Sequence, residues 1–383
     1  MRRNEMAALF RDHFRAEPEV WTRAPGRVDL MGSHTDYNLG FVLTVAISRD
    51  TWIAARPSGS GRVRLHAANL DLSDSFELEQ LRARRDTRRP PAWSDYVRGV
   101  AWALQEASFP LSGFDAVIHS TVPIGSGLSS SAALECATAT MFRALGRWQL
   151  DAEEMARLCQ RAENEYVGVN CGILDQYSSC LGRNGCALLL DCRDLSTRPV
   201  PMGPGIQVVI CDTKSRRELA GGEYGLRRSQ CEEGAARMGV AALRDASLAH
   251  LVDCGLSGAV ERRCRFIIGE NERVFRLAQA LATGERREIR ALCGSSFAGA
   301  RDLFEIASPS MLAMMDAMMA APGIIGARQA GAGFGGCMVA FVESAHTESF
   351  SAAVSLAYSA ATGVQPEIYA VEPAPGAEVM DAS

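Results

Sequence analysis

Two α+β domains are what the sequence predicts, on three observations. The chain has 383 residues, and hydrophobic cores stop growing at roughly 250 to 300 residues, beyond which chains divide. Strand-like and helix-like runs follow one another without regular βα alternation, which is the pattern of an α+β fold rather than a doubly wound sheet. The segment DLSTRPVPMGPG at residues 194–205 concentrates proline and glycine in mid-chain. A first domain over residues 1–195 and a second over 196–383 follow from that break.

The elements read in order. Residues 1–14 place apolar side chains at helical spacing. Short β-type runs follow at 20–23, 41–55, 63–66 and 114–120, rich in the branched and aromatic residues that suit strands. Long helical patterns cover 130–145 and 151–166, and CALLLD at 186–191 is a buried strand. The second half opens with a strand at 206–211, passes through several helices between 218 and 320, and closes with strands at 338–342 and 366–371. The tail after Pro373 is expected to fray.

Composition narrows the possibilities. With 47% apolar and 22% charged residues and a formal charge of −5, the chain is an ordinary globular protein with no sign of a nucleic-acid or membrane partner. The basic run RARRDTRR at 82–89, followed by two prolines, reads as a solvated loop. No apolar run approaches the ~20 residues of a membrane span, and no secretory signal is visible. The twelve cysteines are scattered without a C-x-x-C pair, so neither zinc nor disulfides are expected, and the compartment reads as a reducing cytoplasm.

Three glycine-rich or polar segments carry the chemistry. PIGSGLSSSAA at 123–133 lies between a strand-like and a helix-like run. Such a loop leaves backbone N–H groups at a helix N-terminus, where phosphate is favoured, and its glycines admit close approach. Its serines either hold a metal or cap the helix. A Walker A loop is excluded, because the only lysine is the distant Lys214. GAGFGG at 331–336 satisfies G-x-G-x-x-G but is followed by a strand-like run, which excludes a dinucleotide fold and leaves a tight turn. GRVDLMGSHTDYN at 26–38 brings Arg27, His34 and Asp36 into one short turn, as a polar-ligand site or as a buried pair serving the turn. Asp175, in CGILDQ, follows Glu163 by twelve residues, as a functional carboxylate or a helix cap.

These segments, in this order, resemble the signatures of the galactose, homoserine, mevalonate and phosphomevalonate (GHMP) kinase superfamily, and within it the galactokinase family. AENEYVGVNCGILDQ, GGEYGLRRSQCE and RDLFEIAS extend the likeness over nearly the whole chain. The resemblance implies an N-terminal mixed α/β domain and a C-terminal α+β domain with the active site in the cleft between them. It implies an ATP- and Mg2+-dependent phosphotransferase acting on the anomeric hydroxyl of galactose, a small-molecule enzyme that is cytoplasmic and monomeric. Asp175 matches the catalytic aspartate and Arg27 its arginine partner, and a cation beside a carboxylate favours its ionised form. Gly125, Ser126, Gly127, Leu128, Ser129, Ser130 and Ser131 match the phosphate loop. Ser130 and Glu163 match the magnesium ligands, hard oxygen donors suited to a phosphate-bridging ion. Ser33, His34, Asp36, Gly172 and Tyr224 match sugar-contacting positions.

Departures from the family pattern bear on the substrate. Ser33 stands where galactokinases carry a glutamate that latches the sugar's C6 hydroxyl, so a charge-assisted hydrogen bond is lost. An anion that would repel a C6 carboxylate goes with it, which brings galacturonate and L-arabinose into consideration beside galactose. Asp29 replaces the usual asparagine, as in plant L-arabinose kinases. Phe297 and Leu303 replace polar residues, and Ala330 replaces a threonine. A catalytically silent sugar and ATP sensor is the reading from another class; intact Arg27, Glu163, Asp175 and the serine loop argue against it.

Overall fold

The computed structural model of the chain describes residues 3–81, 90–215 and 220–381, and the basic run at 82–89 lies outside the described residues. The first half comprises α1 (Arg3–Phe14), β1 (Val20–Met31), β2 (Phe41–Pro57), β3 (Arg62–Ala67), β4 (Leu72–Glu77), α2 (Trp93–Glu106), β5 (Phe114–Ser120), α3 (Ser130–Gly146), α4 (Ala152–Arg161) and α5 (Leu174–Leu181). The second half adds β6 (Cys186–Asp191), β7 (Thr197–Pro201), β8 (Ile206–Asp212), α6 (Ala220–Arg237), α7 (Leu248–Asp253), α8 (Gly258–Thr283), α9 (Arg286–Asp302) and α10 (Pro309–Ala320). It ends with β9 (Ile324–Gln329), β10 (Cys337–Glu343), α11 (Thr347–Thr362), β11 (Glu367–Val371) and β12 (Glu378–Met380).

Neither compact unit is contiguous. One comprises residues 1–27, 46–184 and 374–383, the other 28–45 and 185–373. A single boundary after residue 195 misses this, because β1 and β2, of 12 and 17 residues, far exceed an ordinary strand and each contributes to both units. The proline-rich segment holds β7, which among the described residues pairs antiparallel with β6 only. An edge position of that kind tolerates Pro199 and Pro201.

In the first unit the strands run in the order β12-β1-β2-β5-β3-β4. β3 and β5 are parallel, while β2–β5 and β3–β4 are antiparallel. Helix α1 buries Met6 and Phe10, one turn apart, against Trp21, Ala54 and Val117. Small residues along α3, among them Ala132, Ala133, Ala137 and Ala139, are fully buried and let α2, α4 and α5 pack on it. The expected frayed tail is instead ordered: Glu378, Val379 and Met380 pair with Arg23, Thr22 and Trp21 of β1. Arg23 also forms ion pairs with Glu378 and Asp50. An edge strand with open N–H and C=O groups recruits the tail as its partner.

In the second unit a four-stranded antiparallel sheet, β11-β8-β10-β9, packs Val209, Cys211, Met338 and Ala340 against Met311, Met314 and Met318 of α10 and Phe350, Val354 and Tyr358 of α11. Phe297 belongs to this core, and Leu303 packs on a second one built on Phe266, Ile267, Phe304 and Ile306. Lys214 is spent on ion pairs to Asp212 at 3.2 Å and Glu367 at 2.9 Å. The glycine segment turns β9 into antiparallel β10 through residues at positive φ, Gly331, Gly333, Gly335 and Gly336 together with Phe334 at φ 60°. A Cβ on Gly333 would lie 2.8 Å from Ile306, and one on Gly335 would lie 2.8 Å from Ser215 Oγ. That is the close loop packing the sequence predicts.

Candidate active site

Asp175 enters the first turn of α5, whose N-cap is Ile173, so it is not the helix cap. Its Oδ1 accepts from Arg27 Nε at 2.8 Å and Arg27 Nη2 at 2.5 Å. Ser129 Oγ donates to Oδ2 at 2.6 Å. Oδ1 is therefore saturated, and Oδ2 keeps one acceptor position. The Asp175 side chain is 23% exposed, open enough for a ligand to reach it.

Arg27 ties this carboxylate to the glycine loop. Its Nη1 donates to the Gly127 carbonyl at 2.8 Å and its backbone N–H to Leu128 O at 3.1 Å. Gly26 is required beside it, because a Cβ there would sit 2.6 Å from Leu128 O. Gly125 and Gly127 take φ of 75° and 86°, values that cost a glycine nothing. Ser129 is the N-cap residue of α3 at φ 60°, yet its side chain makes no capping bond; the hydroxyl goes to Asp175 instead. Ser126 Oγ donates to Pro123 O, which braces the loop. Gly125 is exposed, and Ser130 and Ser131 are half-buried in the first turn of α3.

Glu163 does not continue α4. It lies in a π-helical turn, Ala162–Val167, where Gly168 N–H bonds back to Glu163 O. Such one-residue expansions re-aim side chains and recur at functional sites. The carboxylate is 4% exposed and accepts from Gln176 Nε2 at 2.7 Å and Cys171 Sγ at 3.3 Å. Burial first, then the charge of Asp175, raises its pKa to about 7.

Gln176 Nε2 also donates to Glu135 Oε2 at 3.0 Å. Glu135 is fully buried, and burial followed by Glu163 holds its pKa well above the usual carboxylate range. Sequence reasoning missed Glu135 and Gln176. The signal was one carboxylate in the otherwise small and apolar run SSAALECATATMF. Among the described residues no group of three or more His, Cys, Asp or Glu could hold a metal alone. Glu163 and Ser130 offer the hard oxygens that Mg2+ takes when phosphate oxygens and water complete its shell. Gly172 lies exposed just before α5.

In the second unit, residues 33–38 form a tight polar turn that ends in a 3-10 turn, Asp36–Asn38. His34, at φ 66°, uses both ring nitrogens within the protein: Nε2 lies 3.0 Å from Ala332 O and Nδ1 2.9 Å from Tyr37 Oη. A carbonyl only accepts, so Nε2 carries the proton and Nδ1 accepts from the tyrosine. Burial lowers the His34 pKa to about 4, and burial raises that of the Tyr37 phenol. The imidazole packs among Tyr37, Tyr224 and Phe304, with centroids 4.8 to 5.7 Å away. Of the two sequence readings, the buried histidine serving the turn is the one its nitrogens support. Asp36 and Tyr224 are half-buried beside it.

Ser33 is only 3% exposed. Its Oγ donates to Asp29 Oδ2 at 2.8 Å and accepts from Arg328 Nη2 at 2.9 Å. Arg328 escaped the sequence reading, although an arginine inside the apolar strand IIGARQ is the kind of buried cation that needs dedicated partners.

The model of the GHMP kinases N terminal domain matches residues 95–183, and that of the galactokinase galactose-binding signature matches residues 8–57. A mevalonate kinase from Methanococcus jannaschii superposes with TM-score 0.66 over 94% of this chain and 99% of its own at 17% identity, which shows the shared fold. A Lactococcus lactis galactokinase complexed with galactose superposes with TM-score 0.91 at 29% identity, covering 98% of this chain and 99% of its own. Fold and matched N-terminal domain together define a GHMP kinase. Galactokinases of Roseiflexus sp. (strain RS-1) and Chloroflexus aggregans are 42% and 43% identical, covering 98% and 93% of this chain and 97% and 92% of their own. The chain belongs to the galactokinase family of GHMP kinases. It is thus a phosphotransferase with a hydroxyl acceptor, in a family whose donor is ATP.

Proposed function

We propose that this kinase transfers the terminal phosphate of ATP to the anomeric hydroxyl of galactose, giving galactose 1-phosphate. The observation that carries the reading is the Asp175 carboxylate, fixed by Arg27 on one oxygen and by Ser129 on the other, at the mouth of a glycine loop. Oδ2 has the free acceptor position, so it is the atom that takes or orients the hydroxyl proton. Arg27 bridges that carboxylate and the loop, and its positive charge offsets charge developing on the transferring phosphoryl group. The N–H groups of residues 125–131 receive the phosphates at the N-terminus of α3.

Ser130 and Glu163 would hold Mg2+, which when bound neutralises phosphate charge. The neighbouring Ser129 is engaged on Asp175, which favours Ser130 over it. Asp36, Tyr224 and the backbone of Gly172 are the groups the family pattern assigns to the sugar, and His34 braces the turn that carries Asp36. Among the described residues no helix is long and apolar enough to cross a membrane. The reading is completed by a monomer in the cytoplasm, where free thiols such as Cys171 persist.

A second acceptor class is favoured by one observation. Ser33 is turned inward onto Asp29 and Arg328, which leaves the C6 corner without a charged latch and admits L-arabinose or galacturonate. The test is ADP release with Mg2+ and ATP against galactose, L-arabinose and galacturonate, with phosphorus NMR to locate the phosphate. Galactose 1-phosphate as the dominant product supports the first reading. A dominant pentose or uronate product replaces galactose, and silence on every sugar defeats the kinase reading in favour of a sensor.

A further inference from the structure

Arg328 lies within β9 with no exposed surface. A buried guanidinium survives only where carboxylates and acceptors surround it. Its Nη2 donates to Glu270 Oε1 at 2.9 Å as well as to Ser33, and its Nε donates to Ser296 Oγ at 3.1 Å. Nη1 lies 3.8 Å from Asp29 Oδ1 and makes no hydrogen bond. Glu270 is also fully buried and is shared with a second cation, its Oε2 accepting from Arg273 Nε at 2.7 Å. Two carboxylates, Asp29 and Glu270, thus face two guanidiniums, Arg328 and Arg273. The Ser33 hydroxyl sits at their junction. It has one proton, given to Asp29, so none is left for a ligand.

We infer that Asp29 and Arg328 are positioning residues that set sugar specificity through Ser33. They hold its hydroxyl inward, so residue 33 presents neither donor nor charge to the substrate there. A carboxylate at residue 33 is compatible with the network only when Asp29 gives up its own charge. The inference rests on reading residues 33–36 as the sugar segment. It also defines the acceptors: sugars lacking an exocyclic hydroxyl at C6, such as 6-deoxygalactose, are used nearly as well as galactose.

The experiment is a charge-exchange cycle over wild type, Ser33→Glu, Asp29→Asn and the double variant. Two quantities are read: Tm, and the ratio of kcat/KM for galactose over 6-deoxygalactose. The ratio does not depend on the fraction of folded enzyme, so a purely structural role would leave it unmoved. Wild type should discriminate by less than about threefold, since residue 33 offers C6 no charge-assisted bond. Ser33→Glu adds a third carboxylate and Asp29→Asn leaves two arginines sharing one, so each lowers Tm by several degrees. The double variant should return to within about 2 °C of wild type, with its ratio raised by roughly tenfold or more.

Failure of Ser33→Glu to fold would agree with the coupling, and the double variant would then decide. Tm losses that simply add across the cycle overturn the charge coupling. A wild-type ratio above about tenfold overturns the inward-held hydroxyl. A double variant with restored Tm and an unchanged ratio removes residue 33 from the C6 corner while the network stands. Wild-type silence on all sugars fails the kinase reading itself, a result distinct from the others.

Discussion

Asp175 is constrained by three donors, and its two oxygens are not equivalent. Asp175→Asn should retain ATP binding, measured by calorimetry, while sugar phosphorylation falls by about two to four orders of magnitude; near-normal turnover would remove Asp175 from the chemistry. Ser129→Ala leaves the Arg27 pair intact and releases only Oδ2, so kcat should drop by roughly tenfold, the value of one hydrogen bond to a charged group. An unchanged kcat in that variant would mean that the Ser129 bond to Oδ2 is not made during turnover. Arg27 and Asp175 were legible because each sits in a recognisable segment. The Ser129 bond was not, because it joins residues 46 apart, and a cap was the local alternative for both partners. His34 was legible as a polar residue in a turn, but only its two neighbours show that its nitrogens are spent inside the protein.

Elements position these groups by departures from regularity. The π-helical turn after α4 carries Glu163, the glycine turns shape the loop ahead of α3, and β12 closes the edge of β1. Gly26→Ala would press its methyl against Leu128 O and Val122, so we expect a loss of about 2 kcal/mol of stability. Because Leu128 belongs to the glycine loop proposed to receive the phosphates, the KM for ATP should rise more than that for sugar; an equal rise would show that the strain is not confined to the loop. Truncation after Pro373 removes β12 and the Arg23–Glu378 pair and should lower Tm by roughly 4 °C or more, read by calorimetry. A Tm equal to that of the full chain would return the tail to a frayed end. Helix and strand existence were readable from periodicity, whereas the π turn, β7 and β12 were not: each depends on a partner that local pattern does not name.

For the whole molecule, two buried groups set opposing pH dependences. Burial holds His34 at about 4 against an ordinary 6.5, so below 6.5 the unfolded chain binds a proton that the folded one refuses. The stability His34 lends is present above 6.5 and lost as pH falls toward 4. Glu163 runs the other way, raised to about 7 from 4.5. The folded chain keeps its proton where the unfolded chain has released it, so stability falls as pH rises between those values. Glu163→Gln removes that limb. Without added divalent metal, wild type should therefore lose Tm relative to the variant between pH 4.5 and 7 and run parallel to it elsewhere; a constant difference across the range would show that Glu163 titrates normally. By itself the sequence determined the α+β class and the family, because helical periods and motif order are local properties of the chain. Tertiary structure decided how the units divide, where the tail goes, and that Ser33 answers to Arg328 from 295 residues away. Those outcomes depend on which polar groups burial brings together without water, and spacing along the chain does not encode that.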